Sequence, residues 1–333
     1  MTAFTLPSWI EPYRDLVSGR ASKAQVAQLA RQLGLPFLGV LFFLLAWHVG
    51  AANIDTSLGK FPGPVDTLEQ AQNLWAEHLV EREKEEAFDA RQRQRIEDRL
   101  AVDPDYEVKW RDYTGSPTYI DQIYTSLYTV LAGFLLASFF AIPLGIVIGL
   151  SSSIYASINP LIQVLKPVSP LAWLPLVTMV VSALYTTDEP MFAKSFVNSM
   201  ITVSLCSLWP TLLNTAVGVT SVSQDLNNVS RVLRLGWCAH VFRIVLPSAL
   251  PMIFTGLRLS LGIAWMVLIA AEMLAQNPGL GKFVWDEFQN GSSQSLGRIM
   301  VAVLTIGVIG FLLDRAMLGL QRWLVWDKQA VQR

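Results

Sequence analysis

The sequence predicts an all-α, polytopic membrane protein of about six transmembrane helices carrying one long, charged helical insertion. Three observations point there. Only 15% of the 333 residues are charged and 52% are hydrophobic, against about 25% charge in an ordinary soluble domain. The charges are also segregated: residues 52–118 hold 15 acidic and 9 basic side chains, 24 of the 51 in the chain. Finally, six mostly apolar runs approach the roughly 20 residues that cross about 30 Å of hydrocarbon.

This composition excludes disordered, collagen-like and disulfide-scaffold classes. The net charge of −1 cancels an acidic insertion against a basic remainder, so it gives no sign of a nucleic-acid partner. Cys206 and Cys238 form neither a disulfide framework nor a ligand cluster, and read as small packing residues.

Residues 1–33 form an expected cytoplasmic segment with Arg14, Arg20, Lys23 and Arg31. This lead is too long for a typical signal peptide, so the first apolar run, 34–52, reads as a retained anchor. The insertion, 53–118, contains a stretch from Asp66 through Leu100 without Gly or Pro, a helix about 50 Å long. Its apolar residues make only an interrupted stripe, which leaves two readings: a water-exposed helical hairpin extending the first two spans, or a docking surface for an extracytoplasmic partner. Pro104 and Gly115-Ser116-Pro117 end it. The core, 119–320, holds five further spans, Ile123–Leu150, Val164–Leu184, Phe196–Val219, Pro247–Leu274 and Arg298–Leu320, before a tail of 321–333.

Lys and Arg accumulate on cytoplasmic flanks. With the N-terminus inside, that side collects Arg14, Arg20, Lys23, Arg31, Lys166, Arg231, Arg234, Arg243, Arg315, Arg322, Lys328 and Arg333. The opposite short loops offer Lys194, Lys282 and Arg298 against Asp188, Glu189, Asp286 and Glu287. Both termini are therefore expected inside and the insertion outside.

Catalytic patterns are missing from the sequence. Gly281-Lys282-Phe283 lacks the glycine spacing of a phosphate loop, and His48, His78 and His240 are scattered. No enzymatic or metal site is expected. Ionisable groups inside spans are costly and mark function. Arg258 and Glu272 lie in the fifth span, about 21 Å apart along a helix, too far to pair. Arg258 suits either attraction of an anion or a structural interhelical contact; Glu272 calls for a cap or an interfacial partner. Trp173, Trp209 and Trp265 read as packing or interfacial residues, or as a substrate cage.

The loop Gln224 to Pro247, QDLNNVSRVLRLGWCAHVFRIVLP, is more specific. Leu226, Val229, Val232 and Leu233 recur at helical spacing beside Arg231 and Arg234. A short basic amphipathic helix joining two spans is a natural lever for a soluble partner.

Together with this loop, NPLIQVLKPVSPLAWLP (159–175), IFTGLRLSLGIAWMVLIAAEML (253–274), FVWDEFQN (283–290) and GVIGFLLD (307–314) resemble the inner-membrane permeases of ABC importers, in the nitrate, bicarbonate and cyanate branch. The resemblance covers most of residues 120–325. It implies a type I importer permease fold, a second copy of the chain, two cytoplasmic ATP-binding subunits that hold ATP and Mg, and an extracytoplasmic solute-binding protein. It further implies a coupling helix within about 224–240, assigning Leu226, Asn227, Asn228, Val229, Arg231, Leu233, Arg234, Leu235 and Gly236 to ATPase contact. Asn228-Val229-Ser230 replaces the general Glu-Ala-Ala, and the distance from Gly236 to Pro247 is short; both features resemble the nitrate-type branch.

The expected function is import of a small inorganic anion across a bacterial inner membrane by alternating access. Nitrate is the first choice, bicarbonate and cyanate are close alternatives, and taurine-type sulfonates are more distant. Ser169, Trp173, Arg258, Trp265 and Glu272 are the expected pathway residues. A non-transporting scaffold or receptor is the competing class, but it has no use for a Pro-flanked cytoplasmic lever.

Overall fold

The computed structural model describes residues 23–56, 59–103, 106–186, 191–292 and 294–324. Arg14, Arg20, Pro104, Asp188, Glu189, Lys328 and Arg333, which entered the expectations above, lie outside the described residues. The chain forms two compact units, Met1–Glu69 and Gln70–Arg333.

In the first unit, α1 (Lys23–Ala52) contains an apolar stretch, Gly34–Ala52, long enough to cross a membrane. Its large side chains, among them Phe37 and Phe42, are exposed along the chain alone, as befits a helix that faces lipid or a partner. A two-residue antiparallel pairing of β1 (Asp55–Thr56) with β2 (Gly59–Lys60) follows. The Trp47 indole N–H donates to the Pro62 carbonyl at 3.1 Å, and Asp66 accepts the Gly63 N–H at 2.8 Å. That second bond caps the start of α2, Pro64–Val102.

At 39 residues, α2 is about 58 Å long at 1.5 Å per residue. Within the second unit, Gln70 and Leu74 are buried, and Leu74 joins a core containing Tyr119, Phe283, Val301 and Ala302. Farther out, α2 lies along the returning chain. His78 Nδ1 sits 2.8 Å from the Thr118 hydroxyl, Arg82 pairs with Asp121 at 2.9 Å, and Gln92 exchanges two 3.2 Å bonds with the Arg111 backbone. The Tyr113 hydroxyl donates to Glu81 at 2.8 Å, which holds that carboxyl below its ordinary range. The return through 106–118 is extended rather than helical. The expected helical hairpin is therefore one helix with a chain strapped to its inner face, because Gly115 and Pro117 do not sustain a second helix.

The bundle consists of α3 (Tyr119–Leu150), α4 (Ser152–Leu165), α5 (Pro170–Leu184), α6 (Lys194–Thr220), α7 (Gln224–Val232), α8 (Trp237–His240), α9 (Leu246–Ala275), α10 (Leu280–Asn290) and α11 (Ser295–Leu324). A capping box starts α3: the Thr118 hydroxyl accepts from the Asp121 N–H, and Asp121 accepts from the Thr118 N–H at 2.9 Å. A π-helical turn, Val241–Val245, links α8 to α9.

The third expected span, Val164–Leu184, requires correction. It is two helices, α4 and α5, meeting at 99° around Lys166–Ser169. Pro170 is the first residue of α5 and holds Ser169 in extended backbone, ψ 141. The described residues contain five apolar helices of spanning length, or six spans if this broken pair counts as one.

Helix α6 is central, packed between α3 and α9. On α3, Gly133, Ala137, Ala141, Gly145 and Gly149 recur every fourth residue and form a shallow face. A Cβ added at Gly145 would lie 2.6 Å from Thr215 Cβ and 2.7 Å from the Leu212 carbonyl. On α9, a Cβ at Gly256 would lie 2.8 Å from Asn214 Cβ. In lipid, where burial of apolar surface drives helix association weakly, such close approach supplies the packing. Polar links reinforce it: Thr211 binds the Ser260 hydroxyl at 2.7 Å, and Asn277 donates to Ser199 at 2.8 Å.

Candidate functional site

The connection between α6 and α9 is largely exposed. The Ser223 hydroxyl accepts from the Leu226 N–H and caps α7, placing Asp225 at the N-terminus and Arg231 in the last turn, the charge order that the helix dipole favours. Ser230 is buried and bonded to His240 Nδ1 at 2.9 Å, which turns one face of α7 toward α8. Leu226, Val229, Val232 and Leu233 are all exposed, with Val232 at 82%. Asn227 and Leu235 are half-buried, whereas Asn228, Arg231 and Arg234 are exposed. Three apolar residues on α7 and Leu233 at its C-cap form an apolar surface that none of the described residues covers.

The sharp turn is made by Arg234 at φ 46, with the Leu235 N–H bonded to the Ser230 carbonyl at 3.1 Å. Gly236 is extended (φ −64), and an added Cβ there would meet nothing within 4 Å. The loop's central glycine is therefore not required by the backbone of the described residues.

Within the spans, Arg258 Nε and Nη2 both donate to Asp314 Oδ1, at 3.0 and 2.8 Å, and Arg315 holds the other oxygen at 3.1 Å. Of the two readings of Arg258, the interhelical pair is the one the structure displays. The same pairing offsets the free positive charge that attraction of an anion would use.

Glu272 is 1% exposed. The Ser126 hydroxyl lies 2.9 Å from each carboxyl oxygen, and the Gly281 N–H donates at 2.9 Å. Ser126 in turn accepts the Leu280 N–H at 2.9 Å. Gly279 at φ 147 allows the approach, since a Cβ there would fall 2.3 Å from the carboxyl carbon. These bonds tie the end of α9 and the start of α10 to α3. Glu272 has the cap expected of it.

Trp265 is also inside the packing, 5% exposed and donating to the Ile306 carbonyl at 3.0 Å. Trp209 packs partly buried among Ala141, Ile162 and Leu212. Ser169 caps α5 by accepting from the Leu171 N–H at 3.3 Å. Trp173 lies one turn later, half-buried, with a buried Nε1 that has no hydrogen-bond partner. The structure thus brings Ser169 and Trp173 together at the start of α5.

Sequence reading missed Ser126, Asp314 and the α3 stripe. The stripe had a legible signal in its four-residue repeat of small residues. Asp314 had one too, as an ionisable residue inside the sixth span; Ser126 had none, since it matters through partners on other elements.

Residues 141–325 match the family model described as binding-protein-dependent transport system inner membrane component. The bicarbonate transport system permease protein CmpB of Synechococcus elongatus is 34% identical over 294 residues, covering 87% of this chain and 89% of that protein. The nitrate import permease protein NrtB of Synechocystis sp. is 39% identical over 208 residues, covering 62% and 70%. A chain of the MetNI methionine ABC transporter, solved in inward-facing conformations, matches with TM-score 0.54 at 11% identity, covering 62% of this chain and 95% of that one, a likeness of fold. With the family model spanning more than half of its residues, the chain belongs to the binding-protein-dependent transport system inner membrane components, the multi-pass permease subunits of ABC transporters, with the type I importer fold.

Proposed function

We propose that the chain is the permease of an ATP-driven importer for a small inorganic anion, nitrate in the first place. The observation that carries the importer reading is α7, a helix between two spans whose apolar face is exposed and whose motif glycine is unconstrained from within. This surface takes the cytoplasmic ATP-binding subunit, so α7 is the coupling helix and both termini are cytoplasmic. ATP and Mg belong to the partner subunits. Closure of the ATPase pair moves α7, and α9 carries that motion as a rigid-body change between two packings.

Two copies of the chain enclose the pathway. Ser169 and Trp173 are its proposed lining, with Arg258 contributing through its pair with Asp314; Trp265 and Glu272 serve as packing and anchor. The choice of nitrate is supported by the NrtB relative. Bicarbonate is the second reading, supported by the CmpB relative at 34% identity. Selectivity rests chiefly on the binding protein, so the permease need only admit a small anion.

The test is reconstitution with the ATP-binding subunits and the solute-binding protein, followed by ATP hydrolysis measured against added anion. Acceleration by nitrate is expected. Acceleration by bicarbonate alone replaces the substrate; no response to any anion defeats the importer reading.

A further inference from the structure

We propose that the cleft between α2 and the α10–α11 corner is the docking site for a loop of the extracytoplasmic solute-binding protein. This deepens the importer reading and rests on it. The cleft has a volume of about 720 Å³. One wall is a stripe of α2 (Asn73, Glu77, Val80 and Lys84), the other is the chain around Ser116–Gln122, and Phe283, Gln294 and Arg298 close the end. It sits where α10 and α11 begin, at the opposite end of the bundle from α7, because α9 runs from the α7 loop to the turn that starts α10. If α7 meets the ATPase, this end faces the binding protein.

The lining selects the occupant. Both cations are already neutralised: Lys84 pairs with Glu81 at 3.0 Å, and Arg298 pairs with Glu77 and, at 3.3 Å, with Glu287. A free anion finds no unpaired charge there. What the cleft offers is Val80, 51% exposed above the buried Leu74 and Phe283, and hydrogen-bonding rims. Gln122 Oε1 is buried and lacks a donor. An apolar floor between polar rims fits a protein loop bearing a small apolar side chain and an N–H donor.

The site is also connected to the bundle. Glu287, 7% exposed, receives both Arg298 and the Ser295 hydroxyl, the latter at 2.7 Å. Glu287 closes α10, whose first residues hold Ser126 and Glu272. A loop in the cleft therefore presses on α10, the helix that carries Glu287 near one end and holds Ser126 and Glu272 at the other.

The experiment uses proteoliposomes holding the permease with its ATP-binding subunits, titrated with the binding protein loaded with nitrate or bicarbonate. Val80→Arg fills the cleft without touching the core. It is expected to raise the half-saturating concentration of binding protein by about tenfold or more, the size of a hot-spot contact, with basal ATP hydrolysis unchanged. Leu79→Arg, equally exposed and turned about 100° away on the same helix, is expected to leave the titration unmoved. An unchanged half-saturation in Val80→Arg, or an equal rise in Leu79→Arg, overturns the cleft as the docking site. If the unsubstituted protein is not stimulated by binding protein carrying either anion, the importer reading fails and the docking site with it.

Discussion

Ser126→Ala tests the role given to Glu272. The hydroxyl does two jobs: it bonds the carboxyl, 2.9 Å from each oxygen, and it accepts the Leu280 N–H at 2.9 Å. Both residues are at most 1% exposed, so water cannot substitute. A hydrogen bond contributes about 0.5–1.5 kcal/mol net, and a buried N–H left alone costs about 1–3 kcal/mol. The two effects together place the loss at about 1.5–4.5 kcal/mol. The assay is thermal unfolding of the detergent-purified permease, followed by loss of helical circular dichroism, with Ser126→Ala, Glu272→Gln and the pair measured as a cycle. The double variant is expected to cost less than the sum of the singles, because each single already breaks the shared bond. A Ser126→Ala change within about 0.5 kcal/mol of the parent, with additive singles, refutes the anchor. It would also return Glu272 to the translocation pathway.

Three further outcomes are expected. Gly145→Val places a branched side chain where even a Cβ lies 2.6 Å from Thr215, so α3 and α6 must part; overpacking of about 1–3 kcal/mol should appear as a lowered unfolding temperature, and an unchanged one argues against the close seam. Arg258→Met leaves Asp314 with only its exposed neighbour Arg315 and should destabilise by about 1–3 kcal/mol, reduced from the fully buried case because both side chains of the lost pair are one-third exposed. Arg258→Met with Asp314→Leu should recover most of that and retain anion-stimulated ATP hydrolysis; loss of transport in a stable double variant would make Arg258 an anion ligand. Leu233→Asp or Gly236→Asp should leave unfolding unchanged, since Leu233 is exposed and Gly236 meets nothing, yet abolish co-purification of the ATP-binding subunit. Retained co-purification removes α7 from the ATPase contact.

Much of this protein is legible along the chain because hydropathy, capping and helical periodicity are local. Charge segregation separated the insertion from the bundle, apolar run lengths located five helices closely, and the 3–4 spacing of Leu226, Val229, Val232 and Leu233 marked α7 as amphipathic before its exposure was known. The broken third span was less legible: its apolar residues run on through Pro167 and Pro170, and composition does not report a 99° bend. Helix α2 shows the same limit. Its interrupted apolar stripe looked solvated, but its inner face is polar and is satisfied by Thr118, Asp121, Tyr113 and Arg111 of the returning chain.

What the amino-acid order determined by itself is therefore the set of helices, the segment left polar, and the face of the lever that points outward, each a property of neighbours within a few turns. Tertiary structure alone decided the partners: Ser126 and Glu272 are 146 positions apart, and Arg258 and Asp314 are 56 apart. A buried charge inside a span must find compensation, but the sequence states only the need. Which helix supplies the compensating group depends on which helices can approach closely, and that follows from the small-residue seams holding α6 between α3 and α9.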